Sequence, residues 1–152
     1  MNIGLISDTH GLMRLEALAA LADSDLIIHA GDVGKPEILD QLRMIAPVVA
    51  VRGNIDTAEW AVRLPLTAVA EARPALIYVL HDVKQLDIDP ADAGFQVVVS
   101  GHSHKQSQLE RGGVLYLNPG SAGPRRFRLP VTVARLRVGS LPWQVEFVKL
   151  AC

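Results

Sequence analysis

The chain has 152 residues with 15 basic and 16 acidic side chains, a formal charge of −1, so it offers no broad cationic field to hold DNA or RNA by phosphate neutralisation alone. Apolar residues make up 49% and aromatics 5%, which excludes a disordered chain and implies a core of Val, Leu, Ile and Ala within one domain spanning 1–152. Cys152 is the only cysteine and no apolar run approaches the ~20 residues of a bilayer span, so the reading is a soluble, cytoplasmic protein without an internal disulfide.

In chain order, short β-branched runs at 3–7, 25–30, 47–52, 75–80, 95–100, 114–117, 131–138 and 143–150 predict strands, with a weaker one at 64–71 that contains Pro65. Leu12, Leu15, Leu18 and Leu21 recur at helical spacing between the first two runs, and Ile38, Leu39 and Leu42 do so between the second and third. The opening is therefore β-α-β-α-β, which implies parallel strands with right-handed crossovers. After residue 75 the runs are closely spaced, which predicts a second, more mixed sheet.

The residues at the end of each run carry the chemistry. The first run leads into Asp8-Thr9-His10, the second into Gly31-Asp32, the third into Gly53-Asn54-Ile55-Asp56, the fourth into His81-Asp82 and the fifth into Gly101-His102-Ser103-His104. Open α/β sheets place their sites beyond the carboxyl ends of the strands, so these groups can converge on one rim. Gly31, Gly53 and Gly101 fit sharp exits from strands and close packing around an ion. Carboxylate, amide oxygen and imidazole without thiolate suit Mn²⁺, Fe²⁺, Zn²⁺, Co²⁺ or Ni²⁺ better than Ca²⁺.

The series D-x-H, G-D, G-N, H and G-H-x-H resembles the calcineurin-like metallophosphoesterase superfamily. Together with Asn118-Pro119-Gly120-Ser121 it is similar to the small bacterial and archaeal phosphodiesterase branch. The resemblance implies an α/β fold, a four-layer αββα sandwich with two mixed sheets, and two divalent metal ions, manganese first among the candidates. Asp8, His10, Asp32 and His104 would hold one ion; Asp32, Asn54, His81 and His102 would hold the other, with Asp32 and a hydroxide as bridges. Asp32, Asn54, Asp56 and His81 form the catalytic set, and the substrate is a small phosphate ester, a diester before a monoester.

The chain departs from that pattern at two positions. Ile55 stands where many relatives place a histidine after the asparagine, which predicts better turnover of activated diesters than of alkyl monoesters. Asp82 replaces the usual glycine after His81; it reads as a solvated turn residue, with hindrance of the substrate or contact with a ligand as the alternatives. Asp56 either orients a ligand or caps a helix. His29 reads as a buried, hydrogen-bonded imidazole, Asn118 to Ser121 as scaffolding, Trp60 and Trp143 as packing, and Arg125, Arg126 and Arg128 as surface. The competing functions are a protein-binding scaffold, as in the retromer coat subunit that shares the fold, and a nuclease of the double-strand-break repair type. A complete ligand set argues against the first, and a short, neutral chain against the second. A membrane partner is not expected, and a homo-oligomer through the C-terminal strands is compatible with the sequence.

Overall fold

The computed structural model describes residues 1–152. The chain runs through β1 (Asn2–Ile6), α1 (Leu15–Ala20), β2 (Leu26–His29), α2 (Pro36–Arg43), β3 (Val48–Ala50), β4 (Thr67–Ala72) and β5 (Ala75–Leu80). It continues through β6 (Val97–Val99), β7 (Ser107–Arg111), β8 (Val114–Asn118), β9 (Thr132–Arg137) and β10 (Gln144–Lys149). Five strands form each of two mixed sheets, ordered β10-β9-β1-β2-β3 and β4-β5-β6-β8-β7. In the first sheet β1, β2 and β3 are parallel; in the second β5, β6 and β8 are.

The strands are legible as continuous apolar runs because the central ones are covered on both faces. Ile3 and Leu5 of β1 enter the cluster between the sheets, where Ile28, Ile77, Val97 and Leu136 meet them, while Ile6 faces the helices with Ile27 and Val133. Each such fully buried aliphatic side chain contributes on the order of 1.5–3 kcal/mol relative to exposure. The predicted β-α-β-α-β opening is present, and it aims the ends of β1, β2 and β3 at the same rim.

The helices match the sequence pattern unequally. In α2, Pro36 presets the first turn, Glu37 and Arg43 suit the two ends of the helix dipole, and Ile38, Leu39 and Leu42 are all buried. In α1 only half of the expected leucine stripe faces the core, Leu21 being buried and Leu18 packed against the same cluster. Leu12 precedes the helix and Leu15 is 79% exposed, whereas Ala17 and Leu21, four residues apart, are fully buried. A six-residue helix without a side-chain cap depends on that packing.

The outer face of the second sheet carries no full helix. Tyr78, Leu80, Val98 and Val114 are covered by Leu86, Ile88 and Phe95 from the irregular segment 81–96, which contains only the 3-10 turn Val83–Gln85. The fourth layer of the sandwich is therefore thin. Strand β4 begins after Pro65 and so escapes its missing N–H. Strand β7 escapes the apolar criterion altogether, since all five of its residues are exposed; Gly112 and Gly113, both at positive φ, turn it into β8 as a two-residue hairpin.

His29, fully buried at the end of β2, is held by both ring nitrogens. Gly31 N–H donates to Nδ1 at 3.1 Å, so the proton is assigned to Nε2, which donates to Thr9 Oγ1 at 3.0 Å; the Thr9 hydroxyl in turn donates to the Val33 carbonyl at 2.8 Å. Burial lowers its pKa from 6.5 to about 4, outweighing the carboxylates of Asp8 and Asp56. Between those values the unfolded chain binds a proton that the native state refuses, so native stability falls as pH falls from about 6.5 towards 4. His29→Gln retains an acceptor and a donor but does not titrate. Urea unfolding in the presence of a chelator should show wild type losing roughly 2–3 kcal/mol more than the variant between pH 7.5 and 4.5. Equal losses in the two proteins would mean that His29 protonates freely in the native fold.

Candidate metal centre

Six strand ends meet at the rim: Asp8 and His10 follow β1, Asp32 follows β2, Asn54 follows β3, His81 follows β5, His102 and His104 follow β6, and Asn118 ends β8. Leaving a strand sharply here costs backbone strain. Asp8, His10, Asp32, His102 and His104 all adopt left-handed φ values between 48° and 73°, a conformation that non-glycine residues occupy only when their surroundings impose it. Of the three glycines expected to supply sharp exits, Gly31 does so at φ 99°. Gly53 and Gly101 do not have positive φ; they are required for space, since a Cβ would collide with Asp32 at the first and with Ser7 and Asp8 at the second.

Asp8 is fully buried. Its Oδ2 accepts from Ser7 Oγ at 2.7 Å and from His102 N–H at 3.1 Å, while Oδ1 makes no hydrogen bond. Around that oxygen stand His104 Nε2 at 3.4 Å, His10 Nε2 at 3.8 Å and His81 Nε2 at 3.9 Å. Asp32 Oδ1 accepts from Ile55 N–H at 3.1 Å, and its Oδ2 lies 3.3 Å from His81 Nε2 and 3.5 Å from His10 Nε2. His81 is oriented from behind, its Nδ1 2.7 Å from the Ala30 carbonyl.

These contacts produce two overlapping groups with ligand atoms within 4.8 Å of one another: Asp8, His10 and His104, and Asp8, Asp32 and His81. His102 belongs to neither group; its ring lies edge to face with His81 at 5.2 Å between centroids. Asn54 lies between Gly53 and Ile55, both of which touch Asp32, and is itself exposed. Asp8 Oδ1, His10 Nε2, His81 Nε2 and His104 Nδ1 are buried without hydrogen-bond partners. Such atoms are rare because each costs about 1–3 kcal/mol. Three of them, Asp8 Oδ1, His10 Nε2 and His81 Nε2, stand around one point and fit a divalent cation, and there His104 contributes its other ring nitrogen, Nε2.

The electrostatics reflect burial opposed by contact. Burial alone would raise Asp32, yet His81, the Ile55 N–H and His10 prevail and hold its carboxyl at about 2. Burial would likewise lower His81, but Asp32, the Ala30 carbonyl and Asp8 raise it instead. His104 is lowered, by burial first and then by Arg126 and His10, against the pull of Asp8.

Asp56 sits elsewhere. It is 3% exposed, and its carboxylate accepts from Val33 N–H at 3.1 Å, Gly34 N–H at 3.0 Å and Gly53 N–H at 2.9 Å. It ties the loop bearing Asp32 to the loop bearing Asn54. It caps no helix, since the nearby 3-10 turn Glu59–Arg63 is preceded by Ala58. The turn 118–121 is scaffolding in the same sense: Asn118 Nδ2 donates to the Gly101 carbonyl at 2.9 Å, and Ser121 Oγ to the Asp8 carbonyl at 3.1 Å. Trp60 and Trp143 pack against the apolar clusters. Ser7 and Thr9, which hold the ligand loop, were not singled out by pattern; their position on either side of Asp8 is the signal that could have marked them.

A profile of the calcineurin-like phosphoesterase superfamily domain matches residues 1–140. A "Probable metallophosphoesterase" of Methanothermobacter thermautotrophicus is 32% identical over 98% of this chain and 92% of its own length. Among solved structures, an archaeal phosphodiesterase superposes with a TM-score of 0.81 at 20% identity, covering 97% of this chain and all of that one. Vps29 of Entamoeba histolytica, complexed with zinc, superposes at 0.75 with 23% identity over 98% of this chain and 99% of that one.

Removing the Asp56 carboxylate should act through the fold. Asp56→Ala leaves one buried and two partly buried N–H groups without an acceptor and is expected to destabilise by about 2–4 kcal/mol, with Asp56→Asn costing less because one oxygen remains. Denaturant unfolding measures both. Wild-type stability combined with lost turnover in either variant would make Asp56 a participant in the chemistry instead.

Proposed function

The chain belongs to the calcineurin-like phosphoesterase superfamily, and from its site we propose a divalent-metal-dependent phosphodiesterase that hydrolyses small phosphate diesters at a dinuclear centre. The observation that carries this reading is the set of buried donors without partners, converging from loops that are far apart in sequence. In this reading Asp8, His10, Asp32 and His104 hold one ion, and Asp32, Asn54, His81 and His102 the other. Asp32 is the shared ligand, and Asp56 supports both loops. Manganese suits this mixture of carboxylate, amide oxygen and imidazole, with iron, zinc, cobalt and nickel as competitors.

Bound ions supply Lewis acidity towards the phosphoryl oxygens and a nucleophile from water at neutral pH. The residues of the chain do the rest. Ser7 and the His102 N–H occupy Asp8 Oδ2, leaving Oδ1 turned to the site. The Ile55 N–H and the Ala30 carbonyl fix Asp32 and His81 in the same manner. The Ile55 side chain, 44% exposed, offers no proton to a departing group. Esters whose leaving groups depart without protonation are therefore favoured, which supports activated diesters.

A protein-binding role without catalysis fits the site less well. A docking surface has no need to bury one carboxylate oxygen and three imidazole nitrogens without partners. We take the chain as one catalytic domain, and its low cysteine content accords with a cytoplasmic setting.

Purified protein analysed for metal and assayed with bis(p-nitrophenyl) phosphate and p-nitrophenyl phosphate tests the reading. Diester turnover should exceed monoester turnover and be abolished by chelation. Asp32→Asn should lower it at least about 100-fold, since the metals' several kcal/mol of transition-state stabilisation depend on that carboxylate. Turnover indifferent to both treatments would rule out the mechanism, and a strong monoester preference would rule out the substrate class.

A further inference from the structure

Asp82 is a rim carboxylate to which the ligand set gives no role. Its two oxygens are divided between tasks. Oδ1 accepts from Lys84 N–H at 3.0 Å and caps the 3-10 turn Val83–Gln85. Oδ2 lies 3.7 Å from His102 Nε2, with the Asp82 side chain 19% exposed. A solvated turn residue would leave that second oxygen to water.

His102 is the candidate ligand most in need of such a neighbour. Its backbone is fixed by the N–H bond to Asp8 and by a φ of 73°, but its side chain is 45% exposed and neither ring nitrogen makes a hydrogen bond. His81, by contrast, is 6% exposed and is set from behind by a carbonyl. The His102 ring packs edge to face against His81 and turns Nε2 towards Asp82. Only Nδ1 is then left to serve a cation.

We infer that Asp82 is a positioning residue for His102: Oδ2 accepts the Nε2–H of the ring and so presents Nδ1 to the second metal half-site. The inference rests on the metallophosphoesterase reading above. The present 3.7 Å exceeds hydrogen-bond length, so the inference requires the half-exposed ring to turn towards Asp82. A carboxylate in this position fixes the tautomer, raises the basicity of the ligating nitrogen and adds negative charge beside the ion. Where glycine follows the histidine that matches His81, as the usual family pattern has it, this support is absent.

Asp82→Ser separates the two tasks, because serine is a good cap but too short to reach His102. Zinc titration of the full chain against a chromophoric chelator should resolve two sites in wild type. In the variant one site weakens about tenfold or more while the other stays within about twofold, the range expected for loss of an orienting carboxylate. Nitrogen-edited NMR of the zinc-loaded wild type should find the His102 ring protonated at Nε2. Unchanged affinities in Asp82→Ser, or a His102 proton on Nδ1, would overturn the inference while leaving the dinuclear centre intact. Fewer than two zinc sites in wild type would overturn the centre and the inference together.

Discussion

Two carboxylates, Asp8 and Asp32, are buried where the two sheets meet, their oxygens within 4.8 Å of His81 Nε2 and of each other. At that separation and an effective dielectric near 20, like charges repel by about 3.5 kcal/mol, a large share of a small domain's net stability. Imidazoles alone offset this incompletely, since burial opposes their protonation; His104 is pushed down while only His81 is pushed up. Divalent cations resolve the conflict directly. The rest of the rim is arranged around that requirement.

The arrangement concentrates strain at the ligands and support behind them. Five residues that face the site have left-handed backbones, each of which costs on the order of 1–3 kcal/mol unless its surroundings enforce it. The enforcement is visible. His29 and Thr9 lock the loop after β1 to the loop after β2, Asp56 joins the loops after β2 and β3, and Asn118 and Ser121 tie the Gly101 and Asp8 loops to β8. None of these supporting groups lies among the unpaired donors. Preorganisation of this kind spares the site from reorganising when charge arrives.

The rim is uneven in a way that bears on substrate choice. On the Asn54 side, Ile55 presents an apolar side chain; on the His102 side, Asp82 brings a third carboxylate. Together they remove a proton donor and add negative charge to the rim. Under the proposed dinuclear reading, that balance suits a monoanionic diester better than a dianionic monoester.

The sequence by itself determined the strands covered on both faces, the β-α-β-α-β opening, the face of α2 and the identity of the groups at the strand ends, because these depend on local periodicity and on the residues adjoining each run. It was half right over α1, where Leu12 and Leu15 point to solvent while Leu18 and Leu21 pack, joined by Ala17. It was silent on β7, a polar edge strand marked only by Gly112-Gly113. Only the tertiary structure decided that Asp56 serves three backbone amides, that Gly53 and Gly101 are needed for space and not for torsion, and that Asp82 approaches His102. The reason is physical: a residue type fixes which bonds a group can make, but partners from loops tens of residues apart are set by how two sheets pack, and no local pattern encodes that distance.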